Sequence, residues 1–217
     1  MSSALIPQPK IILEGTHLTL KTDIAFALAE HPRIIGYRKH RWHIPLVSSE
    51  WETLSDSPPT KDFPGRSMIT FEPHEEPWAL EAYHTWARIF ELHRDYYWIV
   101  DRFHISTRSY QLRYAKRDIQ FEWLEERLEA LNFHMVHCVR RPEAFEAARA
   151  KRLTYSENPT RYDNLQEFVE EQELMRQLVS KSRLRTLEVD ISENDIDRAT
   201  ATILDWVEGT GGFWRAK

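Results

Sequence analysis

Residues 11–30, IILEGTHLTLKTDIAFALAE, decide how this chain is read, and the rest follows outward from them. Ile11, Ile12 and Leu13 are consecutive, the pattern of a strand buried on both faces. From Lys21 to Glu30 the period changes: Ile24 and Leu28 lie one helical turn apart, and Ala25 and Ala27 favour helix. Between the two elements stand Gly15, four residues, Leu20, and the pair Lys21-Thr22. Strand, glycine, four residues, lysine and threonine at a helix start is the layout of a phosphate-binding loop. There the backbone N–H groups and the helix N-terminus cradle phosphate, the lysine neutralises it and the hydroxyl meets Mg²⁺. Leu20 stands where that pattern has its second glycine, and residues 16–19 supply none. The same residues also read as a plain strand–turn–helix with a surface lysine.

Alternation of apolar runs with helix-period segments continues along the chain. PRIIGY (32–37), YYWIVDRF (96–103), NFHMVHCVRR (132–141) and LRTLEVDI (184–191) read as further strands. Helices are expected from Trp78 to about Arg94, over 118–131, from Pro142 onward, and over 165–181. A final helix follows with Ser192 as its cap and Ile196, Ala199 and Ile203 facing inward. Residues 55–77 hold five prolines and read mostly as loop. Strands interleaved with helices predict an α/β fold, a five-stranded parallel sheet flanked by helices on both faces. In such sheets ligands bind beyond the carboxyl ends of the strands, and Gly15 and Asp101 both fall there.

Two more stretches bear on chemistry. In VDRFHISTRSYQ (100–111), Asp101 at a strand end can hold Mg²⁺ or its water, and Arg102 can grip a phosphate with two hydrogen bonds. A structural Asp–Arg pair is the alternative, set against the polar loop of Ser106, Arg108, Tyr110 and Gln111 that follows. In ARAKRLTYSENPTRYDN (148–164), Arg149, Lys151, Arg152 and Arg161 suit a segment that closes over phosphates, or a solvated helix end with a surface loop. His134, His137 and Cys138 fit core positions of a strand better than a metal site, and YRKHRWH (37–43) is a local basic run.

Composition narrows the classes. The 217-residue chain has a net charge of −5 and 41% hydrophobic residues, which fits a soluble globule, most simply one domain over 1–217. Nothing global draws it to nucleic acid or an anionic membrane, and no apolar run approaches the ~20 residues that span a bilayer. With Cys138 its one cysteine and an N-terminus unlike a signal peptide, the chain is expected in the cytoplasm. A homodimer is compatible with the sequence, which does not set the oligomeric state.

Taken in order, IILEG….KT, DRFHISTRSYQ, VHCVRRPEAFEAARAKR and LEVDISENDIDRATATIL resemble the thymidylate kinase family of P-loop nucleotide and nucleoside kinases, loosely over about residues 10–208. The resemblance implies transfer of the ATP γ-phosphoryl group to a nucleoside monophosphate or a related small acceptor. It implies that Gly15, Lys21 and Thr22 serve ATP and Mg²⁺, and that Asp101 organises the metal. Arg102 would hold the acceptor phosphate, with Ser106, Tyr110 and Gln111 beside the acceptor. Arg149, Arg152 or Arg161 would act from a lid over about 152–164. Three departures stand out: Leu20 for glycine with no carboxylate in 16–19, no Arg-Glu-Pro-Gly-type stretch after the second strand, and no secure base-stacking aromatic beyond Trp78 or Tyr83. A catalytically impaired nucleotide-binding or scaffold protein that keeps the fold is the alternative.

Overall fold

Lys10–Glu14 forms β1, with all five residues buried. It is the central strand of a five-stranded sheet in the order β2-β3-β1-β4-β5, where β2 is Leu46–Ser48, β3 Trp98–Asp101, β4 His134–Val139 and β5 Arg185–Asp190. Every pairing is parallel. A computed structural model describes residues 7–36, 46–49, 67–156 and 158–214.

The period of two along β1 sorts its side chains between two cores. Ile12 joins Val47, Val100 and Met135 beneath α3 (Glu76–Leu92), α5 (Glu122–Ala130) and the second half of α7 (Leu165–Val179). Ile11 and Leu13 join Ile99, Val136 and Val189 on the opposite face, beneath α1 (Lys21–Glu30) and α8 (Ile196–Gly209). Covered on both faces, the inner strands carry continuous apolar runs, which is why they were visible in the sequence. A smaller cluster of Phe145, Tyr162 and Phe168 lies where α6 (Phe145–Leu153) meets the start of α7, and Leu18 packs on it.

The second strand is not where the sequence placed it. Residues 32–35 form a short helix, α2 (Pro32–Ile35), with Pro32 in its first turn and His31 Nδ1 accepting the Arg33 N–H at 3.2 Å. Proline cannot donate to a sheet ladder but suits a helix start, and Ile34 is buried against the α1/α8 core. The strand itself is β2, beyond the basic run 37–43, which lies outside the described residues, as do positions 50–66. The cap of the last helix also differs. Asp195 accepts the Arg198 N–H at 2.9 Å, while the Ser192 hydroxyl turns back to Asp190 and accepts the Arg141 N–H. Among the described residues no helix is long and apolar enough to cross a membrane.

Candidate functional site

The register Leu13↔Asp101 puts the ends of β1 and β3 on one rim, so Gly15 and Asp101 are neighbours there. Gly15 is required by space as well as by conformation. Its φ is 151°, and a Cβ would lie 2.5 Å from the Cys138 carbonyl oxygen of β4.

Beyond Gly15 the chain turns through two left-handed residues, Leu18 (φ 64°) and Leu20 (φ 53°). Left-handed backbone costs a non-glycine residue about 1–2 kcal/mol. Each leucine has an offsetting contact. Leu18 seats on the Phe145–Tyr162–Phe168 cluster, Leu20 on the core under α1, and a half-buried leucine returns roughly 1 kcal/mol. Leu20 thus keeps the backbone conformation that glycine usually provides before the lysine. It caps α1 through its carbonyl, which accepts the Ile24 N–H at 2.9 Å.

Lys21 opens α1 and is buried, its Nζ donating to the Thr16 carbonyl (2.7 Å) and the Thr19 hydroxyl (3.2 Å). The Thr22 hydroxyl donates to Asp101 Oδ2 at 2.6 Å. A hydroxyl and a carboxylate side by side beneath a lysine-bearing loop are a Mg²⁺-type donor set, since that ion takes one or two protein oxygens and completes its shell with phosphates and water. Among the described residues no cluster of three or more His, Cys, Asp or Glu side chains competes for a metal.

Above the loop opens a cleft of about 510 Å³ lined by His17, Thr19, Lys21 and Thr22 on one side and Lys151, Arg152, Tyr155 and Arg161 on the other. Among the described lining residues four Lys and Arg side chains face one carboxylate, Asp23, so the cleft favours a polyanion. Arg152 lies over the Tyr155 ring and donates to the Tyr162 hydroxyl at 3.0 Å. Arg161 reaches His17 Nε2 at 2.9 Å, joining the segment after α6 to the loop. Arg149 does not line the cleft; it pairs with Glu146 and Asp163.

The Asp-Arg stretch is more deeply packed than its sequence suggested. Arg102 has a φ of 61° and is 4% exposed, with Nε on the Ser106 hydroxyl at 3.1 Å and Nη2 3.7 Å from Glu171. Glu14, the last residue of β1, accepts the N–H groups of Phe103 and Ile105 and the Ser106 hydroxyl. Burial raises the Glu14 pKa, while His104, Ser106 and Arg102 pull it back. Tyr110, the last residue of α4 (His104–Tyr110), packs on Tyr114, and Gln111 is fully buried, its amide donating to the carbonyls of Ile69 and Phe71. The Tyr83 ring is closed off against Phe103 and Phe121, so it cannot stack on a base, whereas Trp78 is 58% exposed.

Three residues that matter here escaped the sequence reading. Glu171 accepts the Thr16 hydroxyl and pairs with Arg102. Gln172 bonds both backbone groups of Arg140, and Arg140 bonds the Leu18 carbonyl. The one signal was Arg140 itself, a charged residue directly after a buried strand and therefore on the same rim.

His134 and His137 are core residues, as expected. His134 bridges the Asn132 carbonyl and the Thr210 hydroxyl, and burial lowers the His137 pKa to about 4. Cys138 is buried and its thiol is pushed up to about 12, so it is inert as a nucleophile.

This arrangement places the chain in a known class of fold. The YorR protein of Bacillus subtilis, solved in complex with phosphorylated GDP, matches with a TM-score of 0.59 at 20% identity, over 91% of this chain and 95% of that one. A sugar kinase from Janibacter sp. HTCC2649, solved without ligand, matches with a TM-score of 0.50 at 11% identity, over 93% and 95% of the two chains. No protein-family model matches the chain, and no curated protein does. The chain has an α/β fold of the nucleotide-kinase type.

Proposed function

We propose that the protein transfers the terminal phosphoryl group of ATP to a small acceptor, a nucleoside monophosphate of thymidylate-like kind or a related molecule. The observation that carries this is the Thr22–Asp101 contact, which joins the loop's helix to the end of β3 beneath a cationic cleft. Phosphoryl transfer needs positioning and charge neutralisation rather than a nucleophilic side chain, and this rim supplies both. In this reading Lys21 and the lid cations Arg152 and Arg161 neutralise the phosphates. Thr22 and Asp101 would hold the Mg²⁺ that accompanies the nucleotide, and the ion would supply charge withdrawal from the phosphate oxygens. Arg102, backed by Ser106 and Glu171, meets the acceptor's anionic group. The described lid, from the end of α6 to Asn164, closes over the nucleotide and excludes water.

Transfer of labelled γ-phosphate from Mg·ATP, assayed against a panel of nucleosides and nucleoside monophosphates, tests the reading. Label on an acceptor, lost in Asp101→Asn, supports it; no transfer to any of them contradicts it. One observation favours a second reading, a nucleotide binder without catalysis: Lys21 closes on the loop's own Thr16 and Thr19 oxygens. That reading predicts Mg·ATP binding with no transfer.

A further inference from the structure

A five-residue turn, 16–20, holds two left-handed leucines and no glycine, yet it is anchored at its first residue and at its middle by buried side chains. At one end the Thr16 hydroxyl donates to Glu171 of α7. Farther along, Arg140 Nε donates to the Leu18 carbonyl at 3.0 Å. Arg140 is 1% exposed, and its other nitrogens donate to the Ser192 carbonyl at 3.2 Å and Asn194 Oδ1 at 2.7 Å. The backbone N–H and carbonyl of Arg140 are both held by Gln172, at 2.8 and 2.9 Å. Consecutive residues of α7, Glu171 and Gln172, therefore secure the loop through separate routes.

We propose that Arg140 is a positioning residue for the nucleotide phosphates, clamping residues 16–20, with Glu171 and Gln172, in the shape that glycines give a phosphate loop. The assignment rests on the kinase reading above for its consequence, though not for its geometry. A buried guanidinium is expensive to desolvate, and an apolar side chain would fill the same space more cheaply. What Arg140 does that an apolar residue cannot is fix carbonyl oxygens, and one of them is Leu18's. A trans peptide points its N–H opposite to its carbonyl. Holding the Leu18 oxygen toward Arg140 therefore turns the Thr19 N–H the other way, and Thr19 lines the cleft. The clamp also explains how Leu18 and Leu20 persist in left-handed backbone: the conformation is imposed by Arg140, just after β4, and by side chains from α7 rather than permitted by missing Cβ atoms.

Arg140→Met tests this, with and without Leu18→Gly, read by amide exchange of residues 18–24 in the ligand-free protein and by Mg·ATP affinity. The clamp predicts that Arg140→Met speeds exchange in that segment about tenfold while β1 and β4 stay protected, and weakens Mg·ATP about tenfold. Adding Leu18→Gly, which relieves the left-handed strain, should recover most of the affinity. Unchanged loop exchange, exchange accelerated equally across the sheet, or no recovery with glycine would overturn it. If Arg140→Met does not fold, Gln172→Met takes its place with the same readouts. A wild type that fails to bind Mg·ATP removes the kinase reading alone, and loop exchange then decides the clamp by itself.

Discussion

The Thr22 hydroxyl donates to the Asp101 carboxylate at 2.6 Å, tying the first turn of α1 to the end of β3 across 79 positions of sequence. The contact exists because β1 and β3 are parallel neighbours in register, so that the loop after one strand opens beside the carboxyl end of the other.

Asp101→Asn keeps the shape of this pair and removes its charge. Mg·ATP affinity should fall about ten- to hundredfold, the worth of one charge-assisted contact, while affinity for ATP in EDTA changes little. Titration calorimetry with and without Mg²⁺ separates the two; equal losses would detach Asp101 from the metal.

Arg102→Ala is expected to raise the acceptor KM by about ten- to hundredfold with little change in Mg·ATP affinity. It should also cost roughly 1.5–3 kcal/mol of stability, because Glu171 and the Ser106–Glu14 pair lose the cation between them. Steady-state kinetics beside thermal melts check both parts, and an unchanged acceptor KM would reduce Arg102 to a structural role.

Gly15→Ala drives a methyl to 2.5 Å from the Cys138 carbonyl at a φ of 151°. The strained backbone should cost roughly 1–3 kcal/mol, and the loop should lose phosphate affinity as β1 and β4 part. A stable variant with wild-type ATP affinity would show that the loop does not need this close approach.

How much of this was legible in the sequence depended on whether a contact is local. β1 and the start of α1 were readable from residues 11–30 because each element's own period of burial announces it. The shared rim was readable too, because parallel sheets put strand ends together. PRIIGY misled because two adjacent isoleucines fit a short strand or a helical turn equally, and the deciding cues, the fixed φ of Pro32 and the His31 cap, are single local residues rather than a pattern of burial. Tyr83 fits the inner face of a helix, but only the packing of Phe103 and Phe121 shows its ring to be sealed. The clamp was not legible at all. Glu171 and Gln172 sit in the charged run EEQE, which reads as a solvated face, and only the placement of α7 against β4 and the loop makes them buried.

Acid sensitivity follows from the core histidines. Burial lowers the His137 pKa to about 4 from the usual 6.5, and lowers His134 as well. The folded state thus prefers the neutral rings, while the unfolded chain takes up protons first as pH falls. Stability should decline between about pH 6.5 and 4, with His137 contributing on the order of 3 kcal/mol, and this contribution should level off below pH 4. Denaturant melts from pH 7 to 4 check it; His137→Leu should flatten the decline, and an unchanged slope would rule the residue out.

The central claim is that a loop with leucine in the second glycine position still binds nucleotide through Lys21, because Leu20 already holds the left-handed backbone. Calorimetry with Mg·ATP on the wild type, Lys21→Ala and Leu20→Gly tests it most directly. The wild type should bind, Lys21→Ala should abolish binding, and Leu20→Gly should preserve or strengthen it. Absence of Mg·ATP binding in both the wild type and Leu20→Gly would contradict the account.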